Sequence, residues 1–226
     1  MKPSCQLCQP AAGHLSDGFR AVFAADEGVP ELLAVSREYL VLQDVAPVVP
    51  GHVLITTRVH ERSFARNWIE SPDEVHRIED AIIATLIEST GQRAIVCEHG
   101  LGAEAVGHAG CVEHAHLHVI PCTGSMVSSF ASAGVDLVRT KSVADALYHS
   151  PSQQYLYLRD VDDTCYVAVR DRFPSQLVRR LAAHVWGELF WAWRDYVDFS
   201  DVIGTKERLK SGSRIYQKLN AKILSL

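Results

Sequence analysis

A chain of 226 residues with 47% hydrophobic side chains can bury a core unaided, as one large domain or as one domain with a substantial extension. Its net charge of −5 argues against the basic field that supplies non-specific affinity for long nucleic acids, and no apolar run approaches the roughly 18 residues of a membrane span. The start, Met-Lys-Pro-Ser-Cys, has no apolar segment of signal type, so the expected location is cytoplasmic, where six cysteines point to metal binding or free thiols rather than to a disulfide framework.

The first motif is Cys5-Gln-Leu-Cys8, a C-x-x-C spacing that can bring two thiolates to one tetrahedral zinc. Redox chemistry is the rival reading, but a strand before the motif and a helix after it are its usual context, and neither is evident here. From Phe19 to Arg58 the pattern is short strands and turns, at Arg20 to Phe23, Leu32 to Val35, Tyr39 to Leu42 and His52 to Thr57. Ser71-Pro72-Asp73-Glu74 then predicts a helix start, with Ser71 as cap, Pro72 at the first helical position and Glu74 completing a capping box. Val75, Ile78, Ile82, Ile83 and Leu86 form one stripe at helical spacing, so an amphipathic helix running to about Ser89 is expected to lie on the sheet until Gly91 ends it. A strand from Arg93 to Glu98 leads into two glycine-rich stretches, His99 to Gly102 and Gly107 to Gly110, whose backbone N–H groups can approach an anion.

Residues His114 to Pro121, His-Ala-His-Leu-His-Val-Ile-Pro, alternate histidine with apolar residues. In a strand of period two this places three imidazoles on one face and apolar side chains on the other, and Pro121, lacking an N–H, closes the strand. A solvated strand face, or a metal site made from the strand alone, is the blander interpretation. Beyond Pro121, Thr123 to Thr140 is small and polar, as in a loop. Ser142 to Tyr148 predicts a short helix, Gln154 to Leu158 and Thr164 to Val169 two strands, and Ser175 to Trp193 a long helix. Arg172, Gln176, Arg179 and Arg180 cluster at the start of that helix, where an anion could sit if this is not simply a solvated face. Trp186, Trp191 and Trp193 are expected to be packing residues.

The histidine strand resembles the signature of the histidine triad (HIT) superfamily of nucleotide hydrolases and transferases, and Pro47 to His60 is similar to the stretch before that family's main helix. The resemblance covers Cys5 to Pro121. It implies that His116 is the nucleophile that attacks an α-phosphate, with His118 contacting phosphate and His52 near the base or phosphate. It also implies a structural zinc held by Cys5, Cys8, His60 and His114. Two departures bear on substrate choice. Glu98 stands where many members have Asn, and a carboxylate there repels phosphate unless it is protonated, paired or turned elsewhere. Cys111, in Gly110-Cys111-Val112-Glu113, stands where many have a Ser or Gln donor, which shifts leaving-group protonation to His99 or His108.

The expectation is therefore an α+β protein. Residues 1–135 would form a HIT-like antiparallel sheet with one main helix, and residues 136–226 a strand-strand-helix extension, either a degenerate second HIT half or an appended layer. Catalysis falls to His116 and His118, and substrate binding to His52, Glu98, His99, His108, Cys111, Arg179 and Arg180. The expected partners are a nucleotide or nucleotide conjugate, with no long nucleic acid, no membrane and a homodimer as an option. Two alternatives stand beside the enzyme: an inactive module that binds a nucleotide or a protein, and a catalytic metal site made of all three triad histidines.

Overall fold

A computed structural model describes residues 5–22, 30–105, 112–188, 192, 207 and 210–223. The elements in chain order are α1 (Asp17–Val22), β1 (Leu32–Val35), β2 (Tyr39–Gln43), β3 (Val53–Thr57), α2 (Ala65–Glu70), α3 (Pro72–Thr90), β4 (Arg93–Leu101), β5 (His116–Cys122), α4 (Val127–Ser132), β6 (Val138–Arg139), α5 (Val143–Tyr148), β7 (Gln154–Arg159), β8 (Cys165–Arg170), α6 (Leu177–Trp186) and α7 (Ser213–Ile223). The fold is α+β. Among the described residues all eight strands join one antiparallel sheet, in the order β1-β2-β3-β5-β4-β7-β8-β6.

The period-two pattern of the central strands sorts their side chains into two cores. Leu117 and Val119 of β5, with Val41 of β2, Ile55 of β3 and Val96 of β4, bury against Val75, Ile78, Ile82 and Leu86 of α3. The predicted stripe is thus the packed face of that helix. On the other face, Ile95, Ile120, Leu156 and Leu158 pack beneath Leu177, Val178 and Leu181 of α6. His116 and His118 belong to this second face by register, at the end of the sheet that α6 leaves open as a cavity.

Four local expectations are corrected. Arg20 to Val22 are helical, because Ser16 Oγ accepts the Phe19 N–H at 3.2 Å and Asp17 sits in the first turn, so cap chemistry outweighs a three-residue β pattern; Phe23 lies outside the described residues. The box at Ser71 does not form. Glu74 accepts the Ser36 hydroxyl instead, the Ser71 hydroxyl lies 3.4 Å from that of Tyr39, and Pro72 alone marks the helix start. Thr123 to Thr140 contains α4 and β6, since Met126 and Phe130, one turn apart, bury in the core under α6. The last long helix begins at Leu177 and ends at Gly187, whose φ of 71° is left-handed; Trp191 and Trp193 lie outside the described residues. Strands β7 and β8 extend the same sheet, through pairing of β7 with β4.

Gly51 shows how tightly the turn before β3 is held. Its φ is +89°, and a Cβ there would meet Leu86, Pro121 and Ile215 at 3.1 to 3.3 Å. Gly51→Ala combines left-handed strain with overpacking, so it is expected to cost about 2 kcal/mol or more and to lower the melting temperature by several degrees in a calorimetric scan.

Candidate functional site

The cavity lies between the open end of β5 and the start of α6. Its polar lining comes from Asp44, His99, His116, His118, Gln176 and Arg179, and its apolar walls include Leu7, Val45, Leu54, Leu177 and Val178. His116 is half-buried at the first residue of β5, and its Nδ1 lies 2.7 Å from the carbonyl oxygen of His114. A carbonyl only accepts, so Nδ1 carries the hydrogen and Nε2 is left with a bare lone pair. Burial lowers the pKa of this ring, against the opposing pull of the His114 carbonyl and Asp44. The unprotonated form, which a nucleophile needs, is thereby favoured.

His118 has the opposite polarity. The N–H of Val48 donates to His52 Nδ1 at 3.2 Å, so neutral His52 carries its hydrogen on Nε2, 3.0 Å from His118 Nδ1. His118 Nδ1 then accepts, and its hydrogen lies on Nε2. His116 and His118 thus present one acceptor and one donor. Burial lowers the pKa of His52 to about 4, with Arg179 and His116 adding to the effect and Asp44 opposing it. Burial also holds His118 well below the usual histidine value, helped by His116, His52 and Arg179.

Behind this pair lies an ion pair. Arg179 Nη1 is 2.5 Å from Asp44 Oδ2, its other terminal nitrogen donates to the Ala46 carbonyl, and both side chains are buried. Burial alone would raise the pKa of Asp44, but Arg179, His52 and the Ala46 N–H together hold it below the usual value.

A second cluster adjoins the first. Cys5, Cys8, His60 and His114 offer four ligand atoms within 4.8 Å of one another. His114 Nδ1 lies 3.4 Å from Cys5 Sγ and 3.5 Å from Cys8 Sγ, and His60 Nδ1 lies 3.3 Å from Cys8 Sγ. Thiolate and imidazole ligands on a tetrahedral zinc stand roughly 3.5 Å apart, so the set fits such an ion. His114 Nε2 donates to the Thr57 carbonyl at 2.8 Å, which turns Nδ1 toward the sulfurs and fixes the tautomer a metal would need.

The sequence-derived residues sort as follows. His116, His118, His99 and Arg179 come together at the cavity, with His99 Nε2 3.0 Å from Gln154 Oε1. His52 is a correction: it is buried behind His118 and does not line the cavity. Arg179 faces the cavity with its charge already engaged by Asp44. Arg180 and Arg172 are exposed, and Arg180 faces Ser128 and Ser132 of α4, because a helix turns 100° per residue and sends it away from Arg179. His108 and Cys111 lie outside the described residues. Asp44 was missed. A single acidic residue after an apolar strand has no periodic signal, and its role appears only once a residue 135 positions away is folded against it.

Glu98 is also corrected. It shares the parity of Ala94 and Val96, so it points to the face covered by α2 and α3, away from the cavity. There its carboxyl accepts the Phe64 N–H at 2.7 Å, the Tyr155 hydroxyl at 2.5 Å and the Trp68 Nε1–H at 3.3 Å. Burial outweighs these bonds and raises its pKa from 4.5 to about 7.

Fold and site together define an α+β protein built around a histidine-bearing strand, with an imidazole whose Nε2 is bare at residue 116 and a four-residue Cys-His cluster that includes His114, two residues before it. No family model and no curated protein matches the chain. Solved structures do. The chain is similar to a HIT-like protein involved in cell-cycle regulation from Bartonella henselae, at 20% identity over 41% of this chain and 70% of that one, TM-score 0.33. A zinc-bound histidine triad family protein from Mycobacterium smegmatis matches at 19% identity over 53% and 75%, TM-score 0.36. Yeast Ap4A phosphorylase matches at 14% identity over 95% and 82%, TM-score 0.43. The functional reading rests on the side chains themselves. No described helix is long and apolar enough to cross a membrane.

The position of Glu98 changes what its replacement should do. Its folded pKa is raised, so the folded state holds its proton more tightly than the unfolded state, and stability present below about pH 4.5 is lost as pH rises toward 7. The loss amounts to on the order of 3 kcal/mol. Denaturant melts across this window are expected to show that slope in the wild type and not in Glu98→Gln.

Proposed function

We propose that the protein is a nucleotide hydrolase or nucleotidyltransferase acting at an α-phosphate through a nucleotidyl adduct on His116. The supporting observation is the hydrogen bond from His116 Nδ1 to the His114 carbonyl, which aims a bare Nε2 at a cavity where a second histidine donates. In the first step the Nε2 lone pair forms a bond to phosphorus and the bond to the leaving oxygen breaks. The hydrogen stays on Nδ1, donated to the His114 carbonyl throughout, so the adduct is a cationic N-phosphoryl imidazole. The His118 Nε2–H donates to the non-bridging oxygens, whose charge grows in the transition state. Water, or the hydroxyl of a second acceptor, then forms a bond to phosphorus as the P–Nε2 bond breaks; the electron pair returns to His116 Nε2, and the attacking group's proton passes to the departed oxygen or to solvent. The apolar walls suit a base, and the chain's net negative charge suits a small conjugate better than a polynucleotide.

Cys5, Cys8, His60 and His114 would hold one zinc. With four protein ligands such an ion would have no open position, so its part would be structural: the four residues would tie the N-terminal segment to His114, whose carbonyl orients His116.

Incubating the protein with a panel of nucleotide conjugates, with mass spectrometry of products and of acid-labile adducts, tests the reading. His116→Asn is expected to stay folded and to lose about 10³-fold or more in turnover on the best substrate. Near wild-type turnover would eliminate the covalent route, while saturable binding with neither adduct nor turnover would favour a binding module.

For the metal, elemental analysis of protein purified without chelator is expected to give one zinc per chain. Cys8→Ser should abolish it and lower the melting temperature. Full metal content in a Cys5→Ser, Cys8→Ser double variant would refute the ligand set.

A further inference from the structure

Arg179 cannot serve as a free anion receptor while Asp44 holds it. The ion pair spans 2.5 Å with side-chain exposures of 4% and 5%, and the second terminal nitrogen of Arg179 is committed to the Ala46 carbonyl. Asp44 Oδ2 also lies 3.4 Å from His52 Nε2 and 3.8 Å from His118 Nδ1. Among the described residues, the charged and titratable groups facing the histidine pair are therefore Asp44 from the loop after β2, Arg179 from α6 and His116 from β5. One carboxylate and one guanidinium cancel, which leaves no net charge for the imidazoles to balance. Without the guanidinium, a carboxylate buried this deeply would need another cation, and the nearest group able to become one is an imidazole.

We propose that Arg179 is a positioning residue for the histidine pair: by neutralising Asp44 from α6 it keeps His52 and His118 uncharged, and so keeps the hydrogen of His118 on the nitrogen that serves the cavity. The relay has room for only one arrangement of hydrogens. Val48 supplies a donor to His52 Nδ1, so His52 Nε2 must donate and His118 Nδ1 must accept. An extra proton on either ring places two donors face to face, at Val48–His52 or at His52–His118. A helix near the end of the chain would thus set the hydrogen-bond polarity of a strand in its first half. The importance of that polarity rests on the proposed role of His118 as a donor to phosphate; the charge balance does not.

The full chain, labelled with ¹⁵N-histidine, can be followed at pH 7 by long-range ¹H–¹⁵N spectra of its ring nitrogens. In the wild type, His52 and His118 are each expected to show a bare Nδ1 and a protonated Nε2. In Arg179→Gln one bare ring nitrogen of the pair should move into the protonated range, with a shift of the Val48 amide, and the pH at which the pair takes up a proton should rise. Asp44→Asn combined with Arg179→Gln removes both charges and should restore the wild-type pattern, an outcome that a packing role for Arg179 does not give. A doubly protonated His52 or His118 in the wild type overturns the proposal, as does a folded Arg179→Gln with unchanged ring nitrogens. Should Arg179→Gln fail to fold, a folded double variant with the wild-type pattern supports the proposal, and a double variant that also fails to fold overturns it. No substrate enters the measurement. Absence of turnover would therefore defeat the function proposed above and leave this result standing.

Discussion

The carbonyl group of His114 is the point on which both clusters depend. The same residue turns its ring into the Cys5–Cys8–His60 set and its carbonyl oxygen toward His116 Nδ1, at 2.7 Å. Whatever holds the ring still also holds the acceptor that decides which nitrogen of His116 is bare. Two further bonds stiffen this short stretch: Thr56 Oγ1 donates to the Ala115 carbonyl at 2.8 Å, and the Ala115 N–H donates to the Glu61 carbonyl at 2.7 Å. The residue before β5 is therefore tied on every side before the strand ladder begins, and His116 enters a frame already fixed.

The sheet then does the sorting. With β3 on one side and β4 on the other, β5 has no freedom to slip, since a shift of one residue would drive His116 and His118 into the α3 core and bring Leu117 and Val119 out. The same parity sends Glu98 to the helix side. Its carboxyl fills a place among Phe64, Trp68 and Tyr155, where three donors meet it and, among the described residues, no cation pairs with it.

What could be read from the sequence follows from range. The histidine alternation, the α3 stripe and the strand runs from Leu32 onward are local periodicities, and local periodicity survives folding wherever one face is buried. Family resemblance, not spacing, links the C-x-x-C motif to the histidines at 60 and 114, and the fold brings their ligand atoms within 4.8 Å of one another. Glu98 is a substrate-binding candidate only through the resemblance, as the residue standing where many family members have Asn; in the fold His99 reaches the cavity and Glu98, the adjacent strand residue, points the opposite way. Arg179 and Arg180 were indistinguishable as a charge pair. Only the docking of α6 separates the buried one from the exposed one, and docking is set by Leu177, Val178 and Leu181 rather than by the arginines.

The loop from Asp44 to His52 shows how the later part of the chain bears on the site. Inside the sheet's cavity face, Arg179 grips Asp44 and Ala46. On the other side Tyr216 of α7 accepts the Gly51 N–H at 3.2 Å, and Ile215 lies against the same glycine. Both contacts reach across more than a hundred residues, so each orders a loop whose own closure is short and whose conformation, with Gly51 left-handed, is not one that most residues adopt. Because His52 begins where the loop ends, an error in the loop's position becomes an error in the 3.0 Å contact between His52 and His118. Hydrogen bonds weaken steeply with misalignment, so a displacement of about 1 Å would suffice to break the relay. The elements α6 and α7 therefore act on the site as clamps from opposite sides of one loop, and their effect is delivered through geometry that neither could impose alone.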